Sequence, residues 1–294
     1  MICKKERMTV MKKRIICLML MCILVLGSFT ACGKEEKKEN VLRVGMECAY
    51  APFNWTQNSD KLVNGEKAVP IKGTNLYAYG YDVMVAEKLA EELGMELEIH
   101  KVEWDSIGMS LNANEYDCII AGMGRTAERE ASYAFTDPYY YRDNCLVVKA
   151  GSGLEDITGL SQLKGKNVKL TTQSGTGWVN ILDQVPDGKL GANYETTAEC
   201  FMAISNGVAD VCVIDIPTAE SAAMTNKDLK IIYLDPEDKF EGDEEMTNVC
   251  IATRKNDTGF RDKIQEALTS MGWNKKEEMD KLMEEAISLQ PAAN

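Results

Sequence analysis

The segment Asp117-Cys118-Ile119-Ile120-Ala121-Gly122-Met123-Gly124-Arg125-Thr126-Ala127-Glu128-Arg129 holds the residue types best suited to gripping a small anion. Its apolar run, Cys118 to Ala121, reads as a buried strand. Gly122 and Gly124 then let the backbone turn tightly and admit a close approach. Thr126 can cap a helix whose first turn carries Arg129. Free N–H groups and a planar guanidinium would converge at the end of a strand, a cradle for a carboxylate. An ordinary strand-to-helix connection with Arg129 in solvent fits the same residues. The single histidine, His100, stands between Ile99 and Lys101, so no Ser/His/Asp triad can be built around it. It reads as a structural strand residue.

These groups need a scaffold, and strand and helix patterns alternate along the chain. Strands are expected at Val41–Met46, Glu96–Lys101, Cys118–Ala121, Asn144–Lys149, Val168–Thr172, Val211–Ile214, Leu229–Tyr233 and Val249–Thr253. Tyr81–Leu93 reads as a helix with Val83, Ala86, Leu89, Ala90 and Leu93 on one face. Further helices are expected at Trp104–Asn112, Thr176–Leu182, Ala198–Ser205 and Pro217–Met224. Two more close the chain, one with Phe260, Ile264, Leu268 and Met271 in register, the other from Lys275 to Leu289. Gln57 to Tyr79, with Asn64-Gly65 and Gly73, reads as a long surface loop. The layout is α/β with open sheets, whose ligands bind beyond the strand ends.

The first residues point to export. Six basic residues precede the uncharged apolar run Ile15–Leu26, which ends in Gly27-Ser28-Phe29-Thr30-Ala31-Cys32. This pattern is a secretion signal rather than a spanning helix. Met8 and Met11 are alternative starts. The Ala31-Cys32 ending resembles the lipoprotein signal, which would make Cys32 the lipidated first residue of the mature protein. Phe29 stands where such signals usually carry leucine. Gly33–Asn40, rich in Lys and Glu, reads as a flexible tether.

The whole chain carries a net charge of −13, which becomes −18 when the six bases and one acid of residues 1–31 are removed. So acidic a surface argues against nucleic acid and against lying flat on anionic lipid. Of ten cysteines, six follow Cys32: Cys48, Cys118, Cys145, Cys200, Cys212 and Cys250. An even count suits disulfides. Four of the six sit in or beside apolar runs, however, where cysteine behaves as a small hydrophobe, and free buried thiols are the favoured reading. No metal-ligand spacing appears, and no cofactor is implied.

The order of motifs resembles a family. Val44-Gly45-Met46-Glu47-Cys48-Ala49-Tyr50-Ala51-Pro52-Phe53 is followed by Gly80-Tyr81-Asp82-Val83, by Asp117–Arg129 and by Phe135-Thr136-Asp137-Pro138-Tyr139-Tyr140. Thr172-Gln173-Ser174-Gly175-Thr176, Gly207-Val208-Ala209-Asp210-Val211 and Asp215 come next. From Val41 to about Leu289 the chain is similar to the family 3 solute-binding proteins, the polar amino acid receptors of bacterial ABC importers. The resemblance implies a two-lobed, type II periplasmic-binding-protein-like α/β fold with a two-strand hinge and a ligand cleft between the lobes. The crossings would fall near Tyr141–Asp143 and Glu245–Asn248. Residues 41–142 with 249–294 would form one lobe and residues 143–248 the other.

The resemblance also implies roles. Arg129 would pair with a ligand α-carboxylate, helped by the N–H groups of Gly124 and Thr176. Asp215 and the Gly122 carbonyl would take the α-ammonium. Tyr50 and Trp104 would sandwich the ligand side chain, while Phe53 belongs to the core. Glu47 would favour a cationic or amide ligand, whereas Arg125, unusual at its position, would favour an acidic one. Ala121 and Gly124 stand where the family often has serines. The implied function is capture of a polar, neutral or cationic L-amino acid by lobe closure and delivery to an ABC permease and its ATPase. The chain is expected to be a monomer on the outer face of the membrane. The same fold also serves exported enzymes such as cyclohexadienyl dehydratase, the sensor lobes of membrane kinases and some cell-wall lyases. The absence of a second membrane segment or catalytic domain before Asn294 favours the stand-alone receptor.

Overall fold

The computed structural model describes residues 40–242, 247–273 and 275–291, so the signal, Cys32 and most of the tether lie outside the described residues. One five-stranded sheet runs in the order β5 (Glu96–Lys101), β1 (Val41–Met46), β6 (Cys118–Ile119), β13 (Asn248–Arg254) and β7 (Tyr133–Tyr141). A second runs in the order β10 (Lys189–Leu190), β9 (Lys169–Thr171), β11 (Val211–Asp215), β8 (Asn144–Lys149) and β12 (Leu229–Ile232). In the first, β1 is parallel to β5 and β6, and β13 is antiparallel to β6 and β7. In the second, β9 is parallel to β10 and β11, and β8 is antiparallel to β11 and β12. Both sheets therefore place their one reversed strand fourth.

The chain leaves the first sheet at Tyr141, enters the second at Asn144 and returns at Asn248. The two passages are bonded side by side. Arg142 donates its N–H to the Thr247 carbonyl at 2.6 Å, and Asn248 lies opposite Tyr141. Glu245 and its neighbours in the second passage lie outside the described residues. The architecture is thus two α/β lobes joined by a pair of crossing segments.

Local sequence explains most elements. β11, Val-Cys-Val-Ile-Asp, is buried along its whole length, as a strand covered on both faces must be. Helix α1 (Tyr81–Glu92) turns Val83, Ala86, Leu89 and Ala90 into the first core. A turn of 3-10 helix, Trp104–Ser106, leads into α2 (Ile107–Asn112), and α3 (Ala127–Ser132) follows β6. α4 (Thr197–Ser205) starts with a reciprocal capping box between Thr196 and Glu199. α5 (Ile216–Thr225) is capped by the Asp215 side chain and has Pro217 in its first turn, where no intrahelical N–H is lost. α6 (Thr258–Ser270) and α7 (Lys276–Ser288) close the chain.

Three expectations change, and one strand appears where no element was expected. The strand starting at Cys118 ends at Ile119, because the backbone already turns toward Gly122 at a φ of 63°. Thr176–Leu182 is not an α-helix but part of a 3-10 stretch, Gly177–Gln184. The expected loop from Gln57 to Tyr79 contains β3 (Val69–Pro70) and β4 (Tyr77–Tyr79), which with the preceding β2 (Trp55–Gln57) form a three-stranded antiparallel sheet in the order β2-β4-β3. Finally, Tyr133–Tyr141 is a nine-residue edge strand whose pairing with β13 slips around Pro138. Proline is tolerated there because an edge strand needs fewer ladder donors. All six cysteines of the described residues are free and buried, in line with the favoured reading.

Candidate functional site

In each sheet the strand order reverses once, between β1 and β6 in the first and between β9 and β11 in the second. Chain segments diverge at such points and leave a crevice beyond the strand ends. The segments after β1, β6 and β9 meet around one cavity. Its lining includes Glu47, Tyr50, Trp104, Ala121, Gly122, Gly124, Thr126 and Arg129 from the first lobe, and Gln173, Thr176, Gly177 and Trp178 from the second. Arg142, on the hinge, completes it.

Arg129 is placed by its own helix. The Thr126 hydroxyl accepts the Arg129 N–H at 3.1 Å and fixes the first turn of α3. The guanidinium lies 5.3 Å from the Trp104 ring centroid, a cation–π seat. One nitrogen donates to the Gly124 carbonyl at 2.8 Å, the other to the Gly175 carbonyl of the second lobe at 3.2 Å. Burial, reinforced by the nearby Arg142 cation, lowers its pKa to about 10, so it remains charged near neutrality. Trp104 also donates to the Gly175 carbonyl at 3.1 Å, and this one loop of the second lobe thus touches both partners.

Glu47, just past β1, is buried, and burial pushes its carboxyl up to about 7 although Gln173 opposes the shift. The Gln173 amide lies 3.3 Å from one carboxylate oxygen and 3.4 Å from the other, and donates more closely to the Glu195 carbonyl at 2.9 Å. Thr176 turns its hydroxyl to the Gln173 carbonyl at 2.7 Å, ordering the same loop. This end of the cavity therefore presents a carboxyl poised to ionise and an amide.

Tyr50 stacks on Phe53 with ring centroids 4.9 Å apart and donates its hydroxyl to Asp215. Arg142 in turn donates to the Tyr50 oxygen at 2.9 Å and to the Gly122 carbonyl at 3.0 Å. Its guanidinium lies 5.1 Å from the Trp178 ring and 5.9 Å from the Phe53 ring. Behind Gly122 is a buried polar relay. The Gly122 N–H donates to the Tyr139 hydroxyl at 3.2 Å, and that hydroxyl donates to Asp82 at 2.6 Å. Asn54 donates to the other Asp82 oxygen at 2.7 Å. Burial raises the Asp82 carboxyl to about 6 against these donors. A Cβ at Gly122 would collide with the Tyr50 ring, so only glycine lets the backbone pass.

Seven of the eight residues expected at a ligand line this one cavity: Glu47, Tyr50, Trp104, Gly122, Gly124, Arg129 and Thr176. Asp215 does not. It is fully buried, accepts the Thr218 N–H at 2.9 Å as the cap of α5, and reaches the cavity only through Tyr50. Trp104 holds Arg129, and Tyr50 leans on Phe53, a core residue as expected. Arg125 is absent from the lining and pairs with Glu130 at 2.5 Å. Arg142, Gln173 and Trp178 were not singled out. Gln173 lay inside a recognised motif, whereas nothing local to Arg142 marks it, since only the hinge brings it to the cavity.

Against known proteins, residues 42–287 match the family described as bacterial extracellular solute-binding proteins, family 3. The arginine-binding extracellular protein ArtP of Bacillus subtilis (strain 168) is 28% identical over 272 residues, covering 89% of this chain and 93% of its own. An ancestral arginine-binding protein, solved bound to glutamine, superposes with a TM-score of 0.65 at 28% identity over 84% of this chain and 97% of its own. The ancestral amino acid-binding protein AncCDT-1, a precursor of cyclohexadienyl dehydratase, gives a TM-score of 0.66 at 26% identity over 85% of this chain and 96% of its own. The fold is the type II, periplasmic-binding-protein-like one.

Proposed function

We infer that this chain, which belongs to the bacterial extracellular solute-binding proteins of family 3, is the substrate-binding component of an ABC importer for a polar L-amino acid, neutral or cationic. The observation that carries the choice of ligand is the pairing of Arg129 and Glu47 in one cavity. Arg129 takes the α-carboxylate with the N–H groups of Gly124 and Thr176. The Gly122 carbonyl and, beyond Tyr50, Asp215 favour the α-ammonium. The side chain lies toward Glu47 and Gln173, which suit a cation or an amide. Arginine and glutamine, the ligands of two similar proteins, are of these two kinds. Because the ligand touches both lobes, its binding favours the closed form.

Residues 41–142 with 249–294 make one lobe and residues 143–248 the other. The protein is exported as a monomer with a lipid on Cys32, acts with a permease and its ATPase, and uses no cofactor. A Cys32→Ser variant that still incorporates labelled fatty acid at its mature N-terminus would refute the anchor. The protein is not an enzyme in this reading. The alternative, dehydratase chemistry, draws on the likeness to AncCDT-1 and on Glu47, whose carboxyl near 7 has the acidity a general acid needs. Turnover of prephenate by the purified protein would establish it.

The deciding experiment is a thermal-shift screen of the twenty amino acids. Ligand at about 100 times its dissociation constant adds about 2.7 kcal/mol of stability. Arginine, lysine or glutamine should raise the melting temperature most. Strong shifts with aspartate or glutamate alone would overturn the ligand class.

A further inference from the structure

Arg142 is the one basic side chain of the cavity that the proposed ligand contacts do not use. It sits on a crossing segment, its N–H fixed to Thr247, while its guanidinium reaches between the lobes to Trp178 on one side and Phe53 on the other. Its bonds fall on the groups assigned above to the ligand ammonium. Nη1 donates directly to the Gly122 carbonyl and, through the Tyr50 hydroxyl, connects to Asp215. Nε is buried with no hydrogen-bond partner.

We propose that Arg142 is an internal stand-in cation: it occupies the ammonium subsite and must be displaced by the α-ammonium of an incoming amino acid. This rests on the reading of the cavity as an amino acid site. The chemistry is one of like groups competing for one set of acceptors. A guanidinium and an alkylammonium are both cationic donors, and although the Gly122 oxygen has two lone pairs, two cations held against it at once repel each other. The orphaned Nε marks a seat that does not satisfy the side chain fully, unlike that of Arg43, whose guanidinium makes two bonds to the Asp117 carboxylate at 2.9 and 2.6 Å. The long arginine stem can withdraw the head group while the backbone stays bonded across the hinge. Arg142 thus sets selectivity. A ligand with an ammonium gains the acceptors that Arg142 gives up, whereas an analogue without one gains nothing by displacing it. The apparent affinity for the amino acid is reduced by the fraction of molecules in which Arg142 has withdrawn.

The test is calorimetry on the mature full-length protein with the twenty amino acids, and with 5-guanidinopentanoic acid and glutaramic acid, which lack the α-ammonium of arginine and glutamine. Arg142→Met removes the charge while keeping much of the stem, and Arg142→Gln keeps a donor for Gly122 should the first variant fail to fold. Removing Arg142 should tighten binding of the preferred amino acid by about tenfold, the factor expected if Arg142 is withdrawn in roughly a tenth of molecules. Binding of the two deaminated acids should not tighten. Unchanged or weaker amino acid binding in both variants overturns the proposal, and if Arg129→Ala still abolishes binding the amino acid reading survives. Weakening of the deaminated acids as well identifies Arg142 as a direct carboxylate contact and also overturns it. If neither wild type nor variants bind any of the twenty amino acids, the reading of the cavity itself falls and the proposal falls with it.

Discussion

At the strand ends of the first sheet the chain places Glu47, Tyr50, Gly122, Gly124 and Arg129 against the cavity, while the corresponding ends of the second sheet supply Gln173, Thr176, Gly177 and Trp178. The two sheets share one strand order and one reversed strand. Their contributions nevertheless differ in kind. The first lobe carries Glu47 and Arg129, and the hinge adds Arg142. The second offers an amide, a hydroxyl, an aromatic face and a backbone carbonyl, and keeps its own acid, Asp215, under Tyr50. A shared scaffold therefore does not imply shared roles. In the proposed reading, the charges in direct reach of a ligand come from the first lobe and the hinge, and the second lobe meets them with neutral groups and the shielded Asp215.

The largest effect should come from the first lobe. Arg129→Ala removes the cation of a desolvated pair, at a cost of about 2–5 kcal/mol, or roughly thirtyfold or more in affinity. Calorimetry on the folded variant is the check, and an unchanged dissociation constant would remove Arg129 from the site.

Next comes Glu47→Gln. A cationic ligand should lose about 1.5–3 kcal/mol, the worth of a hydrogen bond to a charged group, and glutamine much less. Acidity sharpens this test. With its carboxyl held near 7, Glu47 is largely protonated at pH 6, so binding of arginine should release a proton there and affinity should rise as pH passes 7. Calorimetry in buffers of different ionisation enthalpy reads that proton, and Glu47→Gln should abolish its release. The stability effect has the opposite sense. The folded pKa lies above the ordinary value of 4.5, so the contribution of Glu47 is complete below about 4.5 and is lost as pH rises through 7. Asp82, raised from 3.8 to about 6, acts in the same direction over its own lower range. Melting of the ligand-free protein at pH 4, 6 and 8 should follow, with a shallower fall in Glu47→Gln.

The smallest effect should come from the second lobe. Thr176→Val deletes only the hydroxyl bond to the Gln173 carbonyl, worth about 0.5–1.5 kcal/mol. If Thr176→Val weakens binding as much as Arg129→Ala does, the contrast between the lobes is wrong.

Periodicity exposed the long elements because their burial is regular: α1, β5, β8, β11 and the two closing helices lie within a residue or two of their expected positions. It failed where short range and long range disagree. Tyr133–Tyr141 carries a proline and an acid that argue against a strand, and only its place at the sheet edge accommodates them. β2, β3 and β4 are too short to show alternation. At the site, Arg129 and Glu47 were legible through motifs beside strand ends. The screening of Asp215 by Tyr50 and the reach of Arg142 were not, because both arise from contacts between segments distant in sequence: Tyr50 and Asp215 lie 165 residues apart.

The six reduced cysteines have a practical consequence. Cys48, Cys118 and Cys250 belong to the first sheet or its strand ends, and Cys145, Cys200 and Cys212 to the second lobe, all of them shielded from water. Each half of the molecule thus carries three silent reporters. A thiol reagent that finds none of them in the native protein reacts only when a core opens, and the sequence positions that it labels identify which half came apart first. Mass spectrometry after brief alkylation along a denaturant gradient would therefore time the two cores separately, without an engineered probe.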